Sequence, residues 1–164
     1  MNNNLLCVGI NSTTQDNKHI LMFDYDIDNI DYMLVDLNKI IDKYKLSKIY
    51  IIKTNNGYNA FCFNKFTLEK TYMILSECDN MDKLFLEYGL ENNYYTLTIN
   101  NEKQYFEVIP STNIIHKSSL AHYLFFKKFM NYNIYPFMNN FDKYDLLSLS
   151  FYYSNKHGIK ISEV

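Results

Sequence analysis

A strongly apolar segment of this sequence, ILMFDYDID at residues 20–28, runs into aspartates, the first two of which are Asp24 and Asp26. If the segment is a β-strand, Asp24 and Asp26 lie on the same face, because successive side chains alternate between faces. Two such carboxylates are about 7 Å apart, so their oxygens can converge on a hard divalent cation such as Mg²⁺ or Mn²⁺. Without a cation the two charges repel each other. We interpret the pair as a metal site; the alternative is a polar connection exposed to water.

A third carboxylate, Asp28, has the position of a helix cap. Apolar residues recur every three or four positions from Ile30 to Tyr44, which predicts an amphipathic helix. Asp28 and Asn29 both precede it and both belong to residue types favoured at the N-cap. For Asp28 we favour the capping role over metal binding.

A second polar group surrounds the Asn-Gly step of KTNNGYNAFCF. Asn-Gly between two apolar runs predicts a hairpin, here joining strands at 48–54 and 57–65. Lys53, Thr54 and Asn59 flank Gly57, and a glycine lets the backbone approach a ligand closely. Hairpin turns without any ligand have the same appearance, so this signal taken alone favours a simple turn.

The remaining apolar runs predict one domain, over residues 1–164. The segment at 19–26 is apolar on both faces for most of its length, which predicts a central strand. The segment at 144–155 fits a strand or a short helix equally well. The other predicted elements are a strand at 5–11, a helix at 67–78, a strand hairpin at 94–99 and 104–110, and a buried helix at 118–131. This order predicts an α+β fold, with helices packed on one face of a mainly antiparallel sheet.

The amino-acid composition indicates the kind of genome that encodes the protein and the compartment in which it is found. All 16 basic residues are lysine, and codons rich in A and T explain the abundance of Asn, Ile, Tyr and Phe. We therefore expect the gene to come from a virus, a mobile element such as a plasmid, or a bacterium. A net charge of −2 gives no general basic excess for binding nucleic acid. Three scattered cysteines, with neither a signal-peptide pattern nor a membrane-length apolar run, predict an intracellular protein, in the host cytoplasm if the gene is viral.

The order of these motifs resembles the archaeo-eukaryotic primase-like superfamily, the primase-polymerases. FDYD matches its first motif at Asp24 and Asp26, and TNNGYNAF matches its second from Thr54 to Phe61. MDKLFLEYGLENNYYTLTI is similar to the third, with Asp82 in the acidic position and Lys103 after the following strand. The resemblance covers residues 19–130 and implies an RRM-like palm.

The resemblance also implies a chemistry and a set of site residues. Asp24, Asp26 and Asp82 would be the catalytic ligands of two Mg²⁺ or Mn²⁺ ions in nucleotidyl transfer. The implied partners are nucleotides, single-stranded or primer-template nucleic acid, and other replication proteins. The residues implied to bind the nucleotide are Lys53, Thr54, Gly57, Asn59 and Lys103.

Two positions depart from the family pattern. Asn59 replaces a histidine, and Thr98 stands where small members have arginine. An amide can donate to a phosphate oxygen but supplies neither charge nor a proton. Two functions therefore stay open: a DNA primase/polymerase, or a primase-derived accessory factor that binds nucleic acid or protein without catalysis. An unrelated α+β protein whose Asp pair is only a turn is a third possibility.

Other polar residues have more ordinary interpretations. Glu107 is a rival third metal ligand, although cross-strand pairing is the usual role of such a glutamate. His116 and His122 are six residues apart and do not fit a helical metal pair, so we expect satisfied histidines. Ser118 is expected to be a helix N-cap.

Overall fold

The computed structural model describes residues 7–100, 104–113, 118–124, 126 and 161–163. Residues 120–124 are helical, which agrees with the described part of the helix predicted at 118–131, and the segment at 144–155 lies outside the described residues. None of the described helices is long and apolar enough to cross a membrane. The named elements are β1 (Cys7–Asn11), β2 (His19–Tyr25), α1 (Ile30–Tyr44), β3 (Ile49–Lys53), β4 (Tyr58–Phe66), α2 (Leu68–Ser76), α3 (Lys83–Asn92), β5 (Thr96–Asn100), β6 (Gln104–Ile109) and β7 (Ile161–Glu163).

The strands form two antiparallel sheets, so the α+β prediction is confirmed but the prediction of one sheet is wrong. One sheet has the order β2-β4-β3-β6 and the other the order β5-β1-β7. The predicted hairpin between residues 94–99 and 104–110 is also wrong, because β5 pairs with β1 and β6 pairs with β3. The segment between them lacks the Asn-Gly step that fixes a tight turn. Each strand instead takes the neighbour that buries its apolar residues, Leu97 in β5 and Ile109 in β6.

The strand β2 is buried as predicted, but it is not central. In the four-stranded sheet its ladder partner is β4, and it lies at the end of the strand order. Beyond that edge the β1–β2 connection covers its start, where the Ile20 N–H donates to the Ser12 carbonyl at 3.0 Å. The strand also contacts α2 and β5. A helix and a second sheet therefore provide the burial that the sequence pattern attributed to flanking strands.

The helix α1 has the predicted bounds but a different cap. The Asn29 side-chain oxygen accepts from the Asp31 N–H at 2.9 Å, so Asn29 is the N-cap. The cap assigned to Asp28 is wrong, and Asp28 is an exposed residue of the connection. A capping side chain must reach the second or third amide of the helix, and Asp28 is one residue too far from it.

The hairpin between β3 and β4 is confirmed, and its glycine is required for packing. The Thr54 N–H donates to the Gly57 carbonyl at 2.9 Å, and the Gly57 N–H donates to the Thr54 hydroxyl at 3.0 Å. A Cβ added at Gly57 would overlap the carbonyl oxygen of Tyr25 and lie 2.9 Å from the Ile27 nitrogen. The turn therefore packs directly against the end of β2, where the two aspartates are.

The helix α2 falls within the predicted 67–78, whereas α3 was not predicted. The helix α3 packs on Tyr95, and a Cβ added at its Gly89 would overlap that ring. Its signal in the sequence is Asp82 at the N-cap, followed by Phe85 and Gly89 at helical spacing on the buried side. Buried apolar residues of both sheets and of α1, α2 and α3 form one core cluster.

Candidate functional site

A cavity of about 390 Å³ lies where β2 ends, and it brings together side chains from distant parts of the sequence. We call it the acidic cavity because Asp24, Asp26 and Asp82 line it. Tyr25 and Leu97 also line it. The other lining residues carry amides or hydroxyls: Thr54, Asn55, Asn56, Asn59, Thr96 and Thr98.

Strand register places Asp24 directly opposite Asn59. The two residues are cross-strand partners in the β2–β4 ladder, so their side chains project from the same face. The Asn59 side-chain amide donates to Asp24 Oδ1 at 2.9 Å. Asn59 is buried, whereas Asp24 is half-buried at the cavity wall. The amide therefore fixes the orientation of this carboxylate.

Asp82 reaches the cavity through a backbone link to the same residue. The Asp82 N–H donates to the Asp24 carbonyl oxygen at 2.9 Å. Its side-chain Oδ1 accepts from the Leu84 N–H at 3.0 Å, which caps α3. A carboxylate has two oxygens and about four acceptor sites, so capping uses only part of its capacity.

Asp26 completes the acidic wall from a more exposed position. It is the first residue after the end of β2 and two residues beyond Asp24. The prediction that Asp24 and Asp26 point the same way agrees with both residues lining the cavity. Asp26 is exposed and Asp24 is half-buried, so the pair runs from the protein interior to solvent.

The donor set suits a hard cation. Carboxylates, hydroxyls and amide oxygens are ligands for Mg²⁺ and Mn²⁺, and thiolate or imidazole groups are not among the lining residues described. Among the described residues, no three His, Cys, Asp or Glu side chains are close enough to hold one ion by themselves. Magnesium is usually held by one or two carboxylates and keeps several waters or phosphate oxygens. A cation in this cavity would therefore need water and a ligand to complete its coordination.

Only some of the residues predicted to bind a nucleotide line the acidic cavity. Thr54 and Asn59 line the acidic cavity, whereas Gly57 and Lys53 are not among its lining residues. The Lys53 Nζ lies 4.3 Å from the centroid of the Tyr58 ring and donates to the Gly57 carbonyl at 3.4 Å. Lys53 and Asn59 project from opposite faces, because Lys53 is paired with Tyr58, the residue before Asn59. Lys103 lies outside the described residues.

The sequence prediction missed the hydroxyl wall contributed by β5. Thr96 and Thr98 both line the cavity, and Thr98 was noted only as the position of a family arginine. The alternation of TLTIN was an available signal, since residues two apart on a strand share a face. Asn55 and Asn56, which the sequence indicates only as turn residues, also line the cavity. No lysine or histidine lines the acidic cavity within the described part of the chain.

The lower-ranked candidates lie elsewhere. Glu107 is exposed in β6, opposite Ile51, and is not among the lining residues of the acidic cavity. His122 is a satisfied core histidine as predicted: its Nε2 lies 2.8 Å from the Asn11 carbonyl and its Nδ1 lies 2.6 Å from the Ser119 hydroxyl. Burial, the main cause, lowers the pKa of His122 to about 4.

The helix cap predicted at Ser118 is formed by the next residue, Ser119. The Ser119 hydroxyl accepts from the His122 N–H at 3.3 Å. Ser119 also directly precedes the helical residues 120–124, so it has the capping position that was predicted for Ser118. Ser118 instead forms an isolated β-bridge with Asn64. His116 lies outside the described residues.

No protein-family model, curated protein or solved structure matches this chain. Relatives therefore neither support nor oppose the resemblance to primase-polymerases. The acidic cavity, which Asp24, Asp26 and Asp82 line, is the feature that bears on function.

Proposed function

We propose that this chain is a primase-polymerase-like nucleotidyltransferase domain with an RRM-like palm, dependent on Mg²⁺ or Mn²⁺. One observation supports the proposal most strongly. Asp24 and Asp26 come from one sequence motif and Asp82 from another, and all three line one cavity. Thr54 and Asn59, from the second motif, line the same cavity.

The cation and the residues of the chain would have separate roles in the reaction. Divalent ions held by Asp24, Asp26 and Asp82 would neutralise a triphosphate and lower the pKa of an attacking 3′-hydroxyl. The chain supplies the positioning: Asn59 orients Asp24 through its amide, and α3 fixes Asp82. The Thr54 hydroxyl accepts from the Gly57 N–H at 3.0 Å, and its own proton can be donated to a phosphate oxygen.

The absence of lysine from the described wall of the acidic cavity has a consequence for nucleotide binding. A triphosphate carries several negative charges, and three aspartates would repel it. Nucleotide binding is therefore expected to require the divalent cation. This dependence is a consequence that a lysine-lined site would not share.

The direct test is a primer-extension assay with Mn²⁺ or Mg²⁺ on a primed single-stranded template. The wild-type protein is expected to extend the primer. Asp24→Asn and Asp82→Asn are expected to reduce the rate by at least about 100-fold, the scale expected for removing transition-state charge stabilisation. Asp28→Asn is the matched control, because Asp28 is an exposed carboxylate of the same segment outside the cavity lining.

Two negative results together would refute the enzyme. These are no extension by the wild-type protein, and no Mn²⁺ binding in a titration followed by the electron paramagnetic resonance of the ion. Mn²⁺ binding that is unchanged in Asp24→Asn would exclude the acidic cavity as the site.

A second candidate function is a primase-derived accessory factor that binds nucleic acid or protein without catalysis. It is favoured by the position of Lys53, which contacts the Tyr58 ring and is not among the residues lining the acidic cavity. The variant Asn59→His discriminates between the two functions. Extension gained by this variant would identify an enzyme weakened by loss of the histidine. Cation binding without extension by either protein would favour the accessory factor.

A further inference from the structure

A second and larger cavity, of about 940 Å³, lies at the other end of the same strand pair. In the β2–β4 ladder, Tyr25 is opposite Tyr58 at the end near the acidic cavity, and His19 is opposite Phe66 at the far end. Phe66 lines the second cavity, as does Lys18, the residue before β2. The two cavities therefore occupy opposite ends of one antiparallel pair.

This second cavity, which we call the basic cavity, is lined by Lys18, Lys45, Lys65 and Lys70. These four side chains are a quarter of the 16 basic residues in the chain. No carboxylate lines the cavity within the described residues. The modest net charge of −2 therefore conceals two separated regions, one acidic and one basic. The lack of a general basic excess in the sequence therefore does not exclude a local basic region.

The four lysines differ in their contacts with neighbouring charged and aromatic groups. Lys65 forms an ion pair with Asp16, with its Nζ 3.1 Å from Oδ2. The Lys70 Nζ lies 4.9 Å from the centroid of the Tyr44 ring. Lys45 is exposed at the end of α1, in a left-handed conformation with φ of 54°. Lys18, Lys45 and Lys70 therefore provide most of the positive charge available to a ligand.

Two further features point to phosphate-bearing chains. The aromatic residues Tyr44 and Phe66 line the cavity beside the lysines. Lys43 and Lys70 already lie over the Tyr44 ring, so Phe66 is the ring on which a base can stack. Thr67, the N-cap of the nine-residue helix α2, also lines it, and the N-terminal end of a helix attracts anions. The exposed Glu69 in the first turn of α2 opposes this attraction but is not among the lining residues.

We infer that the basic cavity binds the phosphate backbone of single-stranded nucleic acid, with Lys18, Lys45 and Lys70 as the main contacts. Lysines interleaved with aromatic side chains in a concave site suit a flexible strand whose bases can turn toward the protein. An anionic membrane is flat and would favour lysines on a convex or planar face. This inference concerns a different site from the acidic cavity, and it does not require nucleotidyl transfer.

The test measures binding of a fluorescein-labelled 20-residue oligothymidylate by fluorescence anisotropy, in EDTA so that cation-mediated binding at the acidic cavity is excluded. The cavity variant is Lys18→Gln/Lys45→Gln/Lys70→Gln, and the control is Lys39→Gln/Lys48→Gln/Lys83→Gln. Both variants lose three positive charges, and the control lysines are exposed residues outside the basic cavity. Glutamine keeps most of each side chain's length, and circular dichroism would verify that both variants fold.

The wild-type protein and the control are expected to bind at low salt with the same dependence on salt. The cavity variant is expected to bind at least about tenfold more weakly. Its slope of log affinity against log salt should be smaller by about 2, since each single-strand phosphate contact contributes about 0.7. Because EDTA removes divalent cations from the acidic cavity, binding in this assay is expected even if the proposed nucleotidyl transfer is refuted.

Three results would overturn the inference. One is equal weakening in the cavity variant and the control, which would indicate only a general charge effect. Another is no binding of the oligonucleotide by the wild-type protein at 50 mM salt. The third is binding to vesicles containing phosphatidylserine without binding to the oligonucleotide, which would assign the lysines to a membrane.

Discussion

The side-chain amide of Asn59 donates to Asp24 Oδ1 at 2.9 Å, from a buried position directly opposite it in the β2–β4 ladder. Asn59 replaces the histidine of the family motif that TNNGYNAF resembles. In this structure the residue contacts a carboxylate that lines the acidic cavity. Its local role is therefore to orient an acid, whatever the cavity binds.

Replacing Asn59 with alanine should lower the free energy of unfolding by about 1–3 kcal/mol, because it removes a buried hydrogen bond to a charged acceptor. Urea denaturation followed by circular dichroism measures this change. Asn56→Ala is the matched control, since Asn56 is an exposed amide lining the same cavity. Equal stability of the two variants would contradict the orienting role of Asn59.

Replacing Gly57 with alanine should destabilise the protein by about 1–3 kcal/mol, the usual cost of overpacking. The added Cβ would overlap the Tyr25 carbonyl oxygen and push the β3–β4 turn away from the end of β2. Urea denaturation gives the free energy, and Asn55→Ala in the same turn, at an exposed position, serves as control. A Gly57→Ala variant as stable as the parent would show that the turn does not need this close approach.

Replacing Asp36 with alanine should lower the free energy of unfolding by about 1–3 kcal/mol, because loss of this buried carboxylate leaves the Tyr25 hydroxyl and the Asn80 N–H without their acceptor. Asp36 accepts from the Tyr25 hydroxyl at 3.1 Å and from the Asn80 N–H at 2.9 Å. Burial, chiefly, raises the pKa of the Tyr25 phenol well above its ordinary value, so the hydroxyl remains a donor. Thermal unfolding should show a much smaller loss for Asp42→Ala, an exposed aspartate of the same helix.

The same variant also tests the link to the site. Asn80 lies two residues before Asp82, so Asp36 ties α1 to the segment that carries this cavity residue. A loss of Mn²⁺ affinity in Asp36→Ala that exceeds the loss in Asp42→Ala is the expected result. Unchanged affinity in a folded variant would show that Asp82 is held by α3 alone.

Stability should fall as the pH is lowered from about 6.5 to about 4 because of His122. Its pKa in the folded protein is about 4, below the ordinary 6.5, so the folded state favours the neutral ring. The unfolded chain then binds the proton first, and stability present above pH 6.5 is lost as the pH falls toward 4. The difference corresponds to at most about 3 kcal/mol. Urea denaturation at several pH values should show a shallower decline for His122→Gln, and an identical slope would contradict the assignment.

Local sequence patterns are enough to predict several structural elements of this protein. The spacing of apolar residues predicted the bounds of α1, and the Asn-Gly step predicted the β3–β4 hairpin. Alternation predicted that Asp24 and Asp26 share a face; both line the acidic cavity, although Asp26 lies one residue beyond β2. These features depend on residues close together in the chain, so a periodic pattern or a turn signal is enough to predict them. The N-cap choice between Asp28 and Asn29 depends on one residue of helix length, which patterning does not resolve.

Only the tertiary structure decided which distant elements meet. The strands β5 and β6 were expected to pair with each other, yet they belong to different sheets. That separation brings Thr96 and Thr98 to the acidic cavity, and the unpredicted helix α3 places Asp82 beside Asp24. The basic cavity likewise collects lysines from four segments of the chain. Burial of apolar surface by the whole fold selects these neighbours, and it depends on residues that no local window of sequence contains.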